Sequence, residues 1–527
     1  MPGRDARERA LVLALFLLAL ALRLWGTRYA LDLPIARPDE DRWVRVGLGL
    51  LEDPDPHWFQ WPTLHGYLLA ILYAAWGAFR LWHGDFASWH AYMNEPQEIY
   101  LADHVLLGRY LSAFTGALCV PLTYALGERI GPRGSGLIGA LFVAVSFGLV
   151  RDAHWTLIEP FLLLLILVTL LATDRALSAG TLPAFAIAGL CAGLATSAKY
   201  NGATLAAPLA AAVFLARHAE GRPLLGGVLD KRGLLSATAM AVAFFAGSPY
   251  ILVSRREFMG AMAIREWSYR DASFDTAIGF VHHLVFSMRY SHGLLMEVLG
   301  IAGLVWFGAR ERRRVPLLVF ALGTYVAMGP ARIVPMRYAS SIAPCIALGA
   351  AWSILVLCRK TRWPAAIAVA ASILLSLEPT LRDIRFDLLL TREDTRVAAR
   401  RWLDLHAVPG DRMLAPDSKS ARWARPILED RYVLRGYSDE AAQSGWARWV
   451  VLPESPSGYA PFAPETHATL RKLGRVAVTI DPFSGDAAPL YDPHDAFFVP
   501  VAGFNGVEQP GPRLTLYELA PRRSPIP

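Results

Sequence analysis

Charge is scarce in this sequence. Only 18% of its 527 residues are Asp, Glu, Lys or Arg, where a soluble domain carries about 25%. Cysteine is scarcer: Cys119, Cys191, Cys345 and Cys358 all fall in or at the end of apolar runs. The external segments contain none, which excludes a disulfide framework there. Also missing are a Gly-rich phosphate loop, a zinc-binding cysteine cluster and a Gly-x-Ser-x-Gly nucleophile elbow. Without a nucleotide-binding fold, or room for one between the apolar runs, soluble nucleotide-sugar chemistry is excluded. There is no internal repeat and no low-complexity tract.

Apolar length is what the chain has in abundance. Hydrophobic residues make up 54% and mean hydropathy is +0.33. Crossing a hydrocarbon core takes about 17–25 residues as a helix, because lipid offers no partner to an open backbone. The runs predict about eleven spans, near 10–26, 106–126, 135–150, 157–174, 182–198, 202–217, 234–252, 284–307, 315–330, 338–357 and 364–379. The first follows Arg4, Arg7 and Arg9 and reads as a retained signal-anchor, since its small residues lie inside the apolar run.

Loop charge sets the expected orientation. With the N-terminus inside, the inner loops hold Arg129 and Arg133; Arg175; Arg222, Lys231 and Arg232; Arg310 and Arg312–Arg314; and Arg359, Lys360 and Arg362. The pattern holds throughout only if 182–198 and 202–217 are separate spans, and it then puts the C-terminal segment outside. The net charge of +7 is thus a topological signal, and no nucleic-acid partner is expected.

Two long external regions result. In 27–105, the run Leu64–Trp82 reads as an interfacial helix on the outer leaflet. The segment from about 380 opens with an amphipathic helix, Thr391–His406, stopped by Pro409-Gly410. Strand-like runs follow at 449–452, 476–480 and 514–517. The expected fold is mainly α: a polytopic helix bundle, residues 1–380, with a small external α/β domain, residues 381–527.

Ionisable residues beside the outer ends of apolar runs are the candidates for chemistry. Asp39-Glu40, just past Pro38, reads as a general base taking a proton from a hydroxyl, or as a solvated acidic cluster capping a helix. Asp152 and Glu159 straddle the start of a span. Glu159 reads as a ligand for an acceptor, metal or basic partner, or as a carboxylate favoured at a helix N-terminus. Lys199, between two short spans, and Arg337, at an outer mouth, read as phosphate ligands or as snorkelling side chains. His282-His283, with Arg289, lies where a phosphate could be faced, though an ordinary interfacial role fits as well. A divalent cation shared by Asp39, Asp152 and Glu159 stays open.

In order and placement these segments resemble the integral-membrane C-type (GT-C) glycosyltransferases, nearest the bacterial relatives of protein O-mannosyltransferases and lipid A aminoarabinose transferases. The resemblance lies in Pro38-Asp39-Glu40, Trp61-Pro62-Thr63-Leu64-His65-Gly66, Ser197-Ala198-Lys199-Tyr200-Asn201-Gly202, Arg337-Tyr338 with Pro344, and Asp394-Thr395-Arg396 with Trp402. It covers most of residues 10–410. It departs at Glu159, where the family commonly has Asp. The resemblance implies an inverting transferase using a polyprenyl monophosphate sugar. Asp39 would be the base, Glu40 its support, and Lys199 and Arg337 cations for the leaving phosphate. His283 is a further candidate phosphate ligand, and Glu159 and Asp152 candidate acceptor-side or metal-side carboxylates. The acceptor would be a protein, lipid or polysaccharide hydroxyl on the outer face of a bacterial inner membrane. The competing reading is a transporter or flippase of a lipid-linked precursor. A third is a non-catalytic assembly factor acting through its C-terminal domain.

Overall fold

The computed structural model describes residues 2–33, 36–94, 97–223, 230–270, 277–417, 422–457, 464–495 and 497–520. The chain divides into two compact units. One comprises Met1–Leu24, Arg42–Glu95 and Leu107–Ile384; the other comprises Trp25–Asp41, Pro96–Leu106 and Arg385–Pro527.

The first unit is all helical. Among the described residues five helices are long and apolar enough to cross a membrane: Leu101–Ile130, Glu159–Ala179, Tyr200–Ala219, Met336–Cys358 and Pro364–His406. Two bent pairs bring the number to seven. The other expected spans fall short by composition or length. Pro2–Leu24 carries four arginines with its acidic residues, and Leu182–Ala198 and Val315–Met328 have 17 and 14 residues. Leu64–His83 forms the expected helix and does not pass as a span.

Two expected spans are broken. The chain bends by 52° between Ser135–Ala144 and Phe147–Ala153, and by 114° between Gly279–His292 and Leu294–Gly308. The second bend falls on Gly293, whose φ of +86° suits a residue without Cβ. At the first, Arg23 donates to the carbonyls of Val143 and Ala144 at 3.1 and 3.0 Å. A helix end leaves carbonyls without intrahelical partners, and the buried guanidinium supplies them. The expected span 364–379 also runs on, as one helix from Pro364 to Leu390 with Pro379 inside it.

Close packing here uses small residues. A Cβ on Gly303 would sit 2.0 Å from the Gly349 carbonyl oxygen, and one on Gly349 would sit 2.1 Å from that of Gly300. Helices Leu294–Gly308 and Ala343–Cys358 therefore touch backbone to backbone, and Ser353 Oγ donates to Leu299 O across the seam at 2.8 Å. Such seams replace the hydrophobic drive that lipid removes.

The second unit carries a five-stranded sheet, β1 (Arg412–Ala415), β2 (Val433–Gly436), β3 (Trp449–Glu454), β4 (Gly474–Ile480) and β5 (Arg513–Leu519), in the order β2-β1-β3-β5-β4. β1 is parallel to β2 and β3, while β5 is antiparallel to β3 and β4. Alternate residues of β3 serve opposite cores. Trp449 and Val451 pack with Ala399 and Leu403 of helix Thr395–His406, and Val450 and Leu452 pack with Ala442 and Leu470. A strand buried on both faces needs a continuous apolar run, which is what residues 449–452 provide.

Gly349→Val overpacks the glycine seam. It is expected to cost at least about 1–3 kcal/mol, read as a lowered Tm of the detergent-solubilised protein, with Ser353→Ala the milder variant.

Candidate functional site

The membrane unit gathers two of the candidate residues, Lys199 and Arg337, around the carboxylate of a third, Glu159. Glu159 opens the helix Glu159–Ala179, with Pro160 in the first turn where a missing N–H is harmless. Lys199 is where helix Leu182–Ala198 stops. Its φ of −147° and ψ of 136° are extended, and the 3₁₀ segment Tyr200–Leu205 follows. Gly202 permits that turn, because a Cβ there would lie 2.4 Å from the carbonyl carbon and oxygen of Ala195. Arg337 sits in a second 3₁₀ segment, Met336–Ile342, entered through Pro335.

Lys199 Nζ donates to Glu159 Oε1 at 2.8 Å, and Arg337 Nε lies 3.6 Å from the same oxygen. Lys199, Glu159 and Arg337 are 4, 7 and 8% exposed. Snorkelling side chains reach water, so that reading does not hold for either cation. Lys199 Nζ also lies 4.8 Å from the ring centroid of Tyr338. Two cationic heads within 4 Å of one oxygen are pre-organised for anionic oxygen chemistry, with no reorganisation left to do.

The surrounding polar links explain why the turn at Lys199 holds. Thr63 N–H donates to Ser248 Oγ at 3.0 Å, and Ser248 Oγ bonds Ser197 Oγ at 2.7 Å. Tyr200 Oη donates to the Phe59 carbonyl at 3.0 Å. The start of the interfacial helix is thereby tied to the Lys199 break.

The other candidates make no contact with the Glu159 carboxylate among the described residues, though Asp152 lies beside it. Asp152 is held by Arg151 at 3.1 Å and by Ser340 Oγ at 2.8 Å, and it borders a small crevice with Glu159 and Ser340. His283 is buried, its Nδ1 2.9 Å from Ser287 Oγ in a one-turn π-bulge. That bulge packs against the segment bearing Arg337. Among the described residues no group of three or more His, Cys, Asp or Glu forms a metal cradle.

Asp39 and Glu40 lie in the second unit. The helix begins at Glu40, not after it, and Glu40 is 2% exposed. Asp39, immediately before, has φ of +73°. Left-handed backbone costs a non-glycine residue about 1–3 kcal/mol, Asp somewhat less than most. Glu40 is buried and not solvated, while half-buried Asp39 stands directly before the helix start. The approach is fixed in the same unit by Arg37, paired with Asp495 and stacked on Phe497.

Sequence reasoning quoted His65 within the resemblance but gave it no role. It is 1% exposed, lies 4.7 Å edge-on to Trp43 and 5.9 Å from Phe161, and neither ring nitrogen has a hydrogen-bond partner among the described residues. Its signals were its place in that segment and its position three residues after Pro62 at a helix start. Burial pushes its pKa down to about 3, against the smaller upward pull of Glu159.

Residues 63–218 match the family model described as dolichyl-phosphate-mannose-protein mannosyltransferase. The resemblance drawn from the sequence is borne out. With it stands the reading of the chain as a multi-pass membrane protein of glycosyltransferase type, the match covering 156 of the 527 residues. The matched segment holds His65, Asp152, Glu159 and Lys199; Asp39, Glu40, His283 and Arg337 lie outside it. Among solved structures, the apo oligosaccharyltransferase of Archaeoglobus fulgidus is similar at TM-score 0.49 and 12% identity, covering 88% of this chain and 70% of its own. ArnT from Cupriavidus metallidurans is similar at 0.49 and 12% in the apo state, covering 96% of this chain and 97% of its own. Bound to undecaprenyl phosphate, it is similar at 0.47 and 13%, with the same coverage. No curated protein sequence matches.

His65 gives a pH signature. Its folded pKa lies below the unfolded value of 6.5, so the unfolded chain binds the proton first. Stability is constant in this respect above pH 6.5 and falls below it, by up to about 1.4 kcal/mol per pH unit. His65→Phe is expected to flatten the Tm-against-pH curve between pH 7.5 and 5; an unchanged slope would assign the loss to other groups.

Proposed function

We propose that this protein is an inverting glycosyltransferase that moves a sugar from a polyprenyl monophosphate to an acceptor hydroxyl on the outer face of a bacterial inner membrane. The N-terminus is cytoplasmic and the C-terminal domain external in this reading, which the basic inner loops support. The observation that carries it is the convergence of Lys199 and Arg337 on Glu159. Chemistry that expels a phosphate needs fixed cations where negative charge develops.

In the reaction, the acceptor oxygen attacks the anomeric carbon from the face opposite the phosphate. The carbon–oxygen bond to the phosphate breaks, its electron pair leaves with the polyprenyl phosphate, and the configuration inverts. Asp39 accepts the hydroxyl proton, and Glu40, buried beside it, supports that carboxylate. Lys199 and Arg337 bind the leaving phosphate. Glu159 is a positioning residue that holds both heads in place, a role its extra methylene over Asp allows by reaching further from the backbone. His283 steadies the segment bearing Arg337.

A transporter would concentrate ionisable groups and broken helices near the midplane. The Glu159 cluster stands instead at the first residue of a span, which favours transfer over transport.

Separating binding from chemistry tests these roles. Lys199→Gln and Arg337→Gln are each expected to weaken binding of polyprenyl phosphate tenfold or more, in line with about 1.5–3 kcal/mol for a charged hydrogen bond. Asp39→Asn is expected to keep that binding and lower turnover by about 10²–10⁴. Turnover retained by folded Asp39→Asn would remove Asp39 from the mechanism.

A further inference from the structure

A groove of about 620 Å³ is cut into the membrane unit, away from Glu159. It begins on helix Glu159–Ala179 at Val168, nine residues on and so, at 3.6 residues per turn, on the opposite face. Two further helices, Gln97–Ile130 and Leu182–Ala198, supply the rest of its walls at one-turn spacing. The hollow exists because facing positions are small: Ala125, Ala172 and Ala184. Its size falls within the roughly 300–1,000 Å³ of small-molecule sites.

One end of this apolar groove is cationic. Arg129 and Arg175 both border it, near the C-terminal ends of their helices. Arg129 is committed to buried Asp174 at 2.6 Å, and Arg313 donates to the same carboxylate at 2.8 Å. Asp174 is thus occupied twice, and Arg175 is exposed with no hydrogen-bond or ion-pair partner among the described residues. A basic pocket between membrane helices is a site for an anionic lipid headgroup.

We propose that this groove is a binding site for an anionic glycerophospholipid of the leaflet opposite the Glu159 cluster. An acyl chain lies along the alanine-lined hollow and the phosphodiester meets Arg175, with Arg129 and Arg313 adding positive potential. The site is separate from the transfer chemistry and stands whether or not that chemistry is as proposed.

Cys191 borders the groove and is partly exposed, while Cys119, Cys345 and Cys358 are buried, so it serves as a reporter. The test uses the full-length protein, delipidated in neutral detergent and titrated with phosphatidylglycerol or phosphatidylcholine of matched chains. Native mass spectrometry reads retained lipid, and maleimide modification reads Cys191. Wild type is expected to retain phosphatidylglycerol about fivefold better, and that lipid, but not inorganic phosphate, to slow Cys191 modification. Arg175→Gln should bring the two lipids to parity, and Ala172→Phe should abolish the protection. Equal retention by wild type, selectivity surviving in Arg175→Gln, or a Cys191 rate indifferent to phosphatidylglycerol would each overturn the proposal. Arg175 is exposed, so its variant decides the matter even if Ala172→Phe does not fold.

Discussion

Burying Glu159 is the constraint on which the membrane unit depends. A carboxylate at a membrane boundary costs several kcal/mol to desolvate, and only cations with good geometry offset it. Lys199 and Arg337 answer that demand, and the local folds follow from it. The chain must leave helical geometry at Lys199 to turn the ammonium toward Glu159 Oε1, and Gly202 must lack a Cβ for that turn to close on Ala195. Arg337 must come from a tight 3₁₀ turn behind Pro335. Losing Glu159 removes the counter-charge of both cations, and losing Lys199 leaves the carboxylate only the longer 3.6 Å contact to Arg337, so structure and proposed chemistry rest on the same contacts.

The same logic runs through the unit at lower stakes. Arg23 is buried to satisfy the carbonyls at a helix break, Asp174 is buried under two guanidinium groups, and glycines allow helices to meet where lipid gives no hydrophobic drive. Polar groups inside the bundle are tied to breaks and ends of helices, where the backbone itself needs partners.

Much of this was legible in the sequence, for identifiable reasons. Apolar runs and basic loops report on the membrane directly, and three strands declared themselves as short runs rich in β-branched, aromatic and other apolar residues at 449–452, 476–480 and 514–517. Strands β1 and β2 did not, because each has only four residues and carries an Arg or a Gly. The bend at Ser146 was hidden inside an apolar run, while the one at Gly293 follows the polar stretch Arg289-Tyr290-Ser291-His292, which the expected span ran straight through. Lys199, Glu159 and Arg337 were found singly. Their convergence could not be read, because 40 and 138 residues of chain separate Glu159–Lys199 and Lys199–Arg337. His65 was given no role because one histidine in an aromatic helix gives no pattern; its burial with no hydrogen-bond partner among the described residues is what marks it.

The most direct measurement is release of free polyprenyl phosphate by the purified wild-type protein from a panel of polyprenyl monophosphate sugars, with a cell-envelope acceptor fraction present. The account predicts that one donor is consumed, that free polyprenyl phosphate appears in equal amount, and that the sugar reaches the acceptor with inverted anomeric configuration. Folded protein that consumes no donor, yet moves a lipid-linked sugar across sealed vesicles, would contradict it.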